Sequence, residues 1–113
     1  MSPRKKKEQP DRGAVLDAAQ SILAGDLGVL EGCIRLSSLG HAMVPDWRID
    51  TDFVVFGAVA SEIDHLPFGD VRSRWSAEAL RRADAEIGRI TEGAKEDVIR
   101  ACENILARFS TVQ

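Results

Sequence analysis

From Ala77 to Phe109 the apolar residues never lose a helical period. Leu80, Ala83, Ile87, Ile90, Ala94, Val98, Ala101, Cys102, Ile105 and Phe109 recur at spacings of three and four and form one continuous stripe. Ser76 stands where an N-cap belongs, Glu78 and Glu86 lie early, and Arg100 and Arg108 lie late, as the helix dipole favours. An unbroken helix of this length measures about 50 Å at ~1.5 Å per residue. A chain of 113 residues makes one domain with a diameter nearer ~30 Å. The helix must therefore bend near Gly88–Gly93, or one end must project and meet a second subunit.

The remaining chain must supply helices to cover that stripe. Val15, Ala18, Ala19, Ile22 and Leu23 predict a first helix over 11–24, stopped by Gly25. Asp26 is read as the cap of a second helix over 27–41. That helix is apolar on more than one side, through Leu27, Val29, Leu30, Cys33, Ile34, Leu36 and Leu39, and ends at Gly40 and Pro45. The loop that carries Pro45 and Trp47 is placed over the rim of the core. For residues 50–64 two readings compete. Phe53-Val54-Val55-Phe56 alone suits a buried strand, but Phe53, Phe56, Ala60 and Ile63 share a helical face, and Asp50, Thr51 and Asp52 provide a cap with negative charge. No second strand exists to pair with it, so helix is the expectation. Tyr is missing and aromatics make up only 5%, which suits aliphatic helix packing better than a β-sandwich. The predicted fold is all-α, a four-helix up-and-down bundle with a long, kinked or projecting last helix.

Charge is unevenly placed. Residues 1–12 hold five basic and two acidic side chains, a net of +3, which leaves −6 for the rest of a chain whose total is −3. Residues 1–11, with Arg4-Lys5-Lys6-Lys7 between Pro3 and Pro10, are read as a disordered basic tail, and 12–113 as the helical domain. An acidic body repels phosphate backbones and attracts basic proteins. No apolar run nears the ~20 residues of a membrane span, and no apolar segment follows the basic N-terminus as in a secretory signal. Cys33 and Cys102 lack CxxC spacing and read as small buried hydrophobes of a reducing cytoplasm.

The richest chemistry lies between the third and fourth helices. Ser61–Ser76 collects Glu62, Asp64, His65, Asp70, Arg72, Arg74 and Trp75 around a Pro67-Phe68-Gly69 turn. One reading is a structural clasp, with Asp64 pairing Arg72 and with Leu66, Phe68 and Trp75 as apolar anchors. Another is a recognition surface, since Arg and Trp beside acids are hot-spot residue types. Glu62, Asp64, His65 and His41 are a thin ligand set for a metal such as zinc, and none of the sequence motifs that mark P-loops, dinucleotide sites, nucleophile elbows or HExxH metal sites is present. No cofactor is expected.

Two resemblances add to this. Arg35-Leu-Ser-Ser-Leu-Gly-His41 resembles the signature of the HEPN ribonucleases, which are compact helical bundles. The resemblance implies that Arg35 and His41 would flank an RNA phosphate at a dimer interface, with Ser37 or Ser38 assisting. The order of an AGDLGVLEGCIRLSSL helix, a SEIDHLPFGDVRSRW junction and a long Ala/Glu/Arg helix, over residues 14–109, resembles a family of small bacterial proteins of unknown function. Proteins of that style often serve as immunity partners of secreted toxins, which implies a cytoplasmic, non-enzymatic protein that neutralises a basic effector. A HEPN-like ribonuclease and a homodimeric structural protein are the alternatives.

Overall fold

Asp11–Ala24 form the first helix, α1, and the chain turns at Gly25 with φ of 86°. This is a Schellman closure: the Gly25 N–H donates to the Ile22 carbonyl at 3.1 Å and the Asp26 N–H to the Ser21 carbonyl at 2.9 Å. The structure, a computed structural model, describes residues 11–40, 44, 46, 47 and 49–109. The expectation of a disordered basic tail concerns residues outside these, apart from Asp11, which already belongs to α1. Helix α2 runs over Val29–Leu39, with Gly28 at its N-cap in extended geometry and Gly40 at its C-cap. The expected cap at Asp26 is not used. The N–H groups of Asp26 and Leu27 both close on the Ser21 carbonyl, so the chain is still finishing α1 at Leu27 and α2 starts two residues later than its apolar pattern suggests.

The ambiguous third segment is helical. Helix α3 covers Val54–Glu62, and the Asp50 carboxylate caps the turn before it by accepting the N–H groups of Asp52 at 2.9 Å and Phe53 at 3.3 Å. A 3₁₀ segment, Gly69–Arg74, follows. Ser76 then caps the last helix as expected, its Oγ accepting the Ala79 N–H at 3.1 Å. Helix α4 is a single element over Ala77–Phe109. At ~1.5 Å per residue it is about 50 Å long, which matches the longest dimension of the molecule, 51 Å.

The fold is all-α, with no strand among the described residues. Helix α1 lies against α2 and α4, α2 lies against α3, and α2 and α4 meet across the interior. The core is aliphatic with a Phe pair: Val15, Leu36, Phe53, Phe56, Ile63, Val98 and Ile105 are all fully buried. Phe53 meets Phe56 edge-on at 5.9 Å between ring centroids. Gly32 lets α1 and α2 approach closely, since a Cβ there would lie 2.3 Å from Ile22 Cδ1. Gly40 does the same for Trp47, which is half-buried on the rim of the core. The stripe of α4 is buried unequally: Val98, Ala101, Cys102 and Ile105 are covered, whereas Ile87, Ile90 and Ala94 are only partly so.

Candidate functional site

The chain enters the junction at Ile63, Leu66 and Pro67, all buried, and reverses at Gly69, whose φ of 75° suits glycine. The 3₁₀ segment that follows has no buried residue of its own, so side-chain bonds must hold it. Arg72 does this. Its Nη1 and Nη2 donate to the two carboxylate oxygens of Asp84, both at 3.0 Å, and Nη1 also donates to the Pro67 carbonyl at 3.3 Å. The forked bond to Asp84 holds the Arg72 guanidinium above its ordinary pKa and the Asp84 carboxyl below its own. His65 Nε2 lies 3.1 Å from Glu86 Oε2 and adds an exposed tie to the same helix.

The expected Asp64–Arg72 pair is therefore corrected. Asp64 is exposed and makes no ion pair among the described residues, because the carboxylate within reach of Arg72 comes from the second turn of α4. Glu62, Asp70 and Arg74 are likewise exposed and outside any ion pair among the described residues, and Trp75 remains 37% exposed. Of the seven junction residues, Arg72 and His65 bond across to α4. Among the described residues no group of three or more His, Cys, Asp or Glu side chains converges as a metal site would require.

Arg72 and Asp84 also edge an open groove of about 380 Å³ between the first turn of α2 and the middle of α4. Val29, Leu30, Phe68 and Ile87 give it an apolar floor, and Glu31 stands on the α2 side of its rim. Thr91 completes the lining, with its hydroxyl donating to the Ile87 carbonyl of its own helix at 2.7 Å.

A second polar cluster lies at the far end of α4 and has no counterpart in the sequence reading. Arg108 Nη1 donates to Asp52 Oδ2 at 2.7 Å and to Asp50 Oδ1 at 2.9 Å, while Nη2 reaches Asp50 Oδ2 at 3.2 Å. Asn104 donates to Asp52 Oδ1 at 3.1 Å, and the Arg108 guanidinium lies 4.7 Å from the Phe109 ring centroid. Asp52 is the one buried charged residue of the described chain. The bonds from Arg108 hold the Asp50 carboxyl below its ordinary pKa, and the two aspartates hold Arg108 above its own. The sequence did mark Asp50 and Asp52 as helix-start acids, but the partners lie more than fifty residues away.

Cys33 on α2 and Cys102 on α4 are buried free thiols. Burial pushes Cys33 up to about 12, assisted by the neighbouring Cys102, and Cys102 up to about 11, so both stay protonated at neutral pH. Of the ribonuclease-like pair, Arg35 is exposed on α2 and His41 lies outside the described residues. Ser38 donates its hydroxyl to the Arg35 carbonyl at 2.9 Å, and Ser37 is half-buried.

Helices tied by interhelical Arg–Asp forks, with an apolar groove beside one of them, define an all-α bundle protein. No helix among the described residues is long and apolar enough to cross a membrane. The chain belongs to a family of proteins of unknown function, DUF2489, whose model matches residues 6–105. Neither the curated proteins nor the solved structures gave a match.

Proposed function

We propose that this chain is a cytoplasmic, non-enzymatic protein-binding module of the immunity type, which takes a basic effector at the groove between α2 and α4. The observation that carries the reading is the groove itself. Its floor is apolar, its one cation is already neutralised by Asp84, and Glu31 leaves the rim with net negative charge. The −6 body around it would steer a basic partner toward the rim, and such association weakens as salt rises.

Affinity capture from the native host, run at low and high salt with wild type and Glu31→Lys, tests this. Glu31 is exposed, so reversing its charge leaves the core intact. A basic protein retained at low salt, released at high salt and lost with Glu31→Lys is expected. Capture of no protein, or of one indifferent to both salt and Glu31→Lys, refutes the reading. An RNA-cleaving activity of the wild type that Arg35→Ala abolishes would replace it with the ribonuclease alternative.

A further inference from the structure

Helix α3 carries no polar side chain from Val54 to Ala60 and is polar only at its last two residues, Ser61 and Glu62, yet only Phe56 and Val59 are buried. A helix without a polar face normally has neighbours on every side. Val54 and Ala58 are exposed and line neither of the hollows beside α4, while toward α4 Val55 stays only half-buried. Asp52 bonds Asn104 at one end and His65 meets Glu86 at the other, so the two helices run antiparallel. Between those ties they leave two adjoining hollows of about 400 and 240 Å³, which share Val55 and Asp97 in their walls. Val55, Val59, Ile90 and Ala94 form an apolar strip along this seam.

We infer that the occupant of this seam is α4 of a second copy of the chain, crossing antiparallel about a two-fold axis at Gly93. The charge pattern along α4 complements itself. Arg89 and Asp97 lie four residues to either side of Gly93, and Glu86 and Arg100 lie seven to either side. All five fall at spacings of three and four, on one stripe of the helix. A two-fold axis at Gly93 therefore sets each Arg89 opposite an Asp97 and each Glu86 opposite an Arg100, which is the self-complementarity an isologous contact requires. Arg89 is exposed and makes no ion pair among the described residues. Asp97 and Arg100 pair only with each other, exposed and at 3.4 Å.

Gly93 itself points the same way. Glycine inside a helix costs about 1 kcal/mol relative to alanine. Nothing in the chain's own packing asks for it, since a Cβ at Gly93 would have no atom within 4 Å. Close approach of a second backbone at the crossing point supplies the reason. The seam is a different face from the groove at Phe68 and Arg72, so this inference stands or falls apart from the proposed function.

Sedimentation velocity and light scattering on the full chain, across a range of protein concentrations, test it. The expected mass is twice the 12.3 kDa of one chain. Arg89→Asp should set like charges opposite each other and weaken association by at least about tenfold, and Gly93→Leu should abolish it by filling the crossing point. Combining Arg89→Asp with Asp97→Arg restores the complementarity and should restore the dimer. At concentrations where all are monomeric, circular dichroism should match wild type and no variant should melt lower, because every altered position is exposed, while Gly93→Leu should melt somewhat higher through its better helix propensity. A wild type that is monomeric throughout overturns the inference, as does a dimer indifferent to Arg89→Asp and Gly93→Leu. A double variant that stays monomeric overturns the two-fold register at Gly93.

Discussion

If the bundle is closed by the cluster at the end of α4, Asp52→Ala should cost far more than Asp64→Ala. Asp52 spends both carboxylate oxygens, one on Arg108 at 2.7 Å and one on Asn104 at 3.1 Å. A hydrogen bond to a charged group contributes about 1.5–3 kcal/mol. The upper figure does not apply, because Arg108 keeps its forked bond to Asp50 and is 40% exposed, so neither it nor the exposed Asn104 is left buried without a partner. Removing negative charge at the start of α3 adds about 0.3–1 kcal/mol. We expect about 2 kcal/mol for Asp52→Ala, or a fall in melting temperature of roughly 8–10 °C for a domain of about 100 residues. Asp64→Ala should stay within about 0.5 kcal/mol, as surface changes do. The assay is urea unfolding of both variants, with Arg108→Ala completing a double-mutant cycle. The cycle should return a coupling between Asp52 and Arg108 of at least about 0.5 kcal/mol. Equal losses for Asp52→Ala and Asp64→Ala, or a coupling indistinguishable from zero, would refute the assignment of the clasp.

Two further outcomes follow from the same geometry. Gly32→Ala places a Cβ 2.3 Å from Ile22 Cδ1 and 2.5 Å from its Cγ1, so Ile22 or the α1–α2 spacing must give. Overpacking of this kind costs about 1–3 kcal/mol, partly offset by the better helix propensity of alanine, and Ile22→Val in the same chain should recover part of the loss on thermal unfolding. In acid, the Asp50 carboxyl is depressed in the folded state through its bonds to Arg108, so the unfolded chain takes up its proton first. The stability this carboxylate contributes is present above its ordinary value of 3.8 and is lost as pH falls from there toward the folded value. Asp50→Asn keeps the capping oxygen but removes the titration. Urea midpoints taken between neutral pH and pH ~3 should fall less steeply for this variant than for wild type, and an unchanged slope would refute the role of Asp50.

What could be read in the chain and what could not divide along the range of the forces involved. The helices are written locally. The spacing of Ile87, Ala94, Val98 and Ile105, the hydroxyl of Ser76 and the positive φ demanded at Gly25 all act within a few residues, and each element lies close to where those signals put it. The late start of α2 arose because the backbone at Asp26 and Leu27 is still closing α1. The polar ties are different in kind. Arg72 had acids nearby in sequence at Asp64 and Asp70, but a rigid guanidinium fork pairs with the carboxylate that tertiary packing delivers, and α4 delivers Asp84. Arg108 was legible only as a cation favoured near a helix C-terminus, and Asp50 and Asp52 only as anions favoured near a helix N-terminus. Antiparallel packing of α3 on α4 brings those two ends together, so local preferences of opposite sign become one interhelical cluster. The same logic bears on the exposed charges of α4. Arg89, Asp97, Glu86 and Arg100 look like an ordinary solvated face when read along one helix. Their arrangement about Gly93 acquires meaning only when a second helix of the same sequence is laid across it.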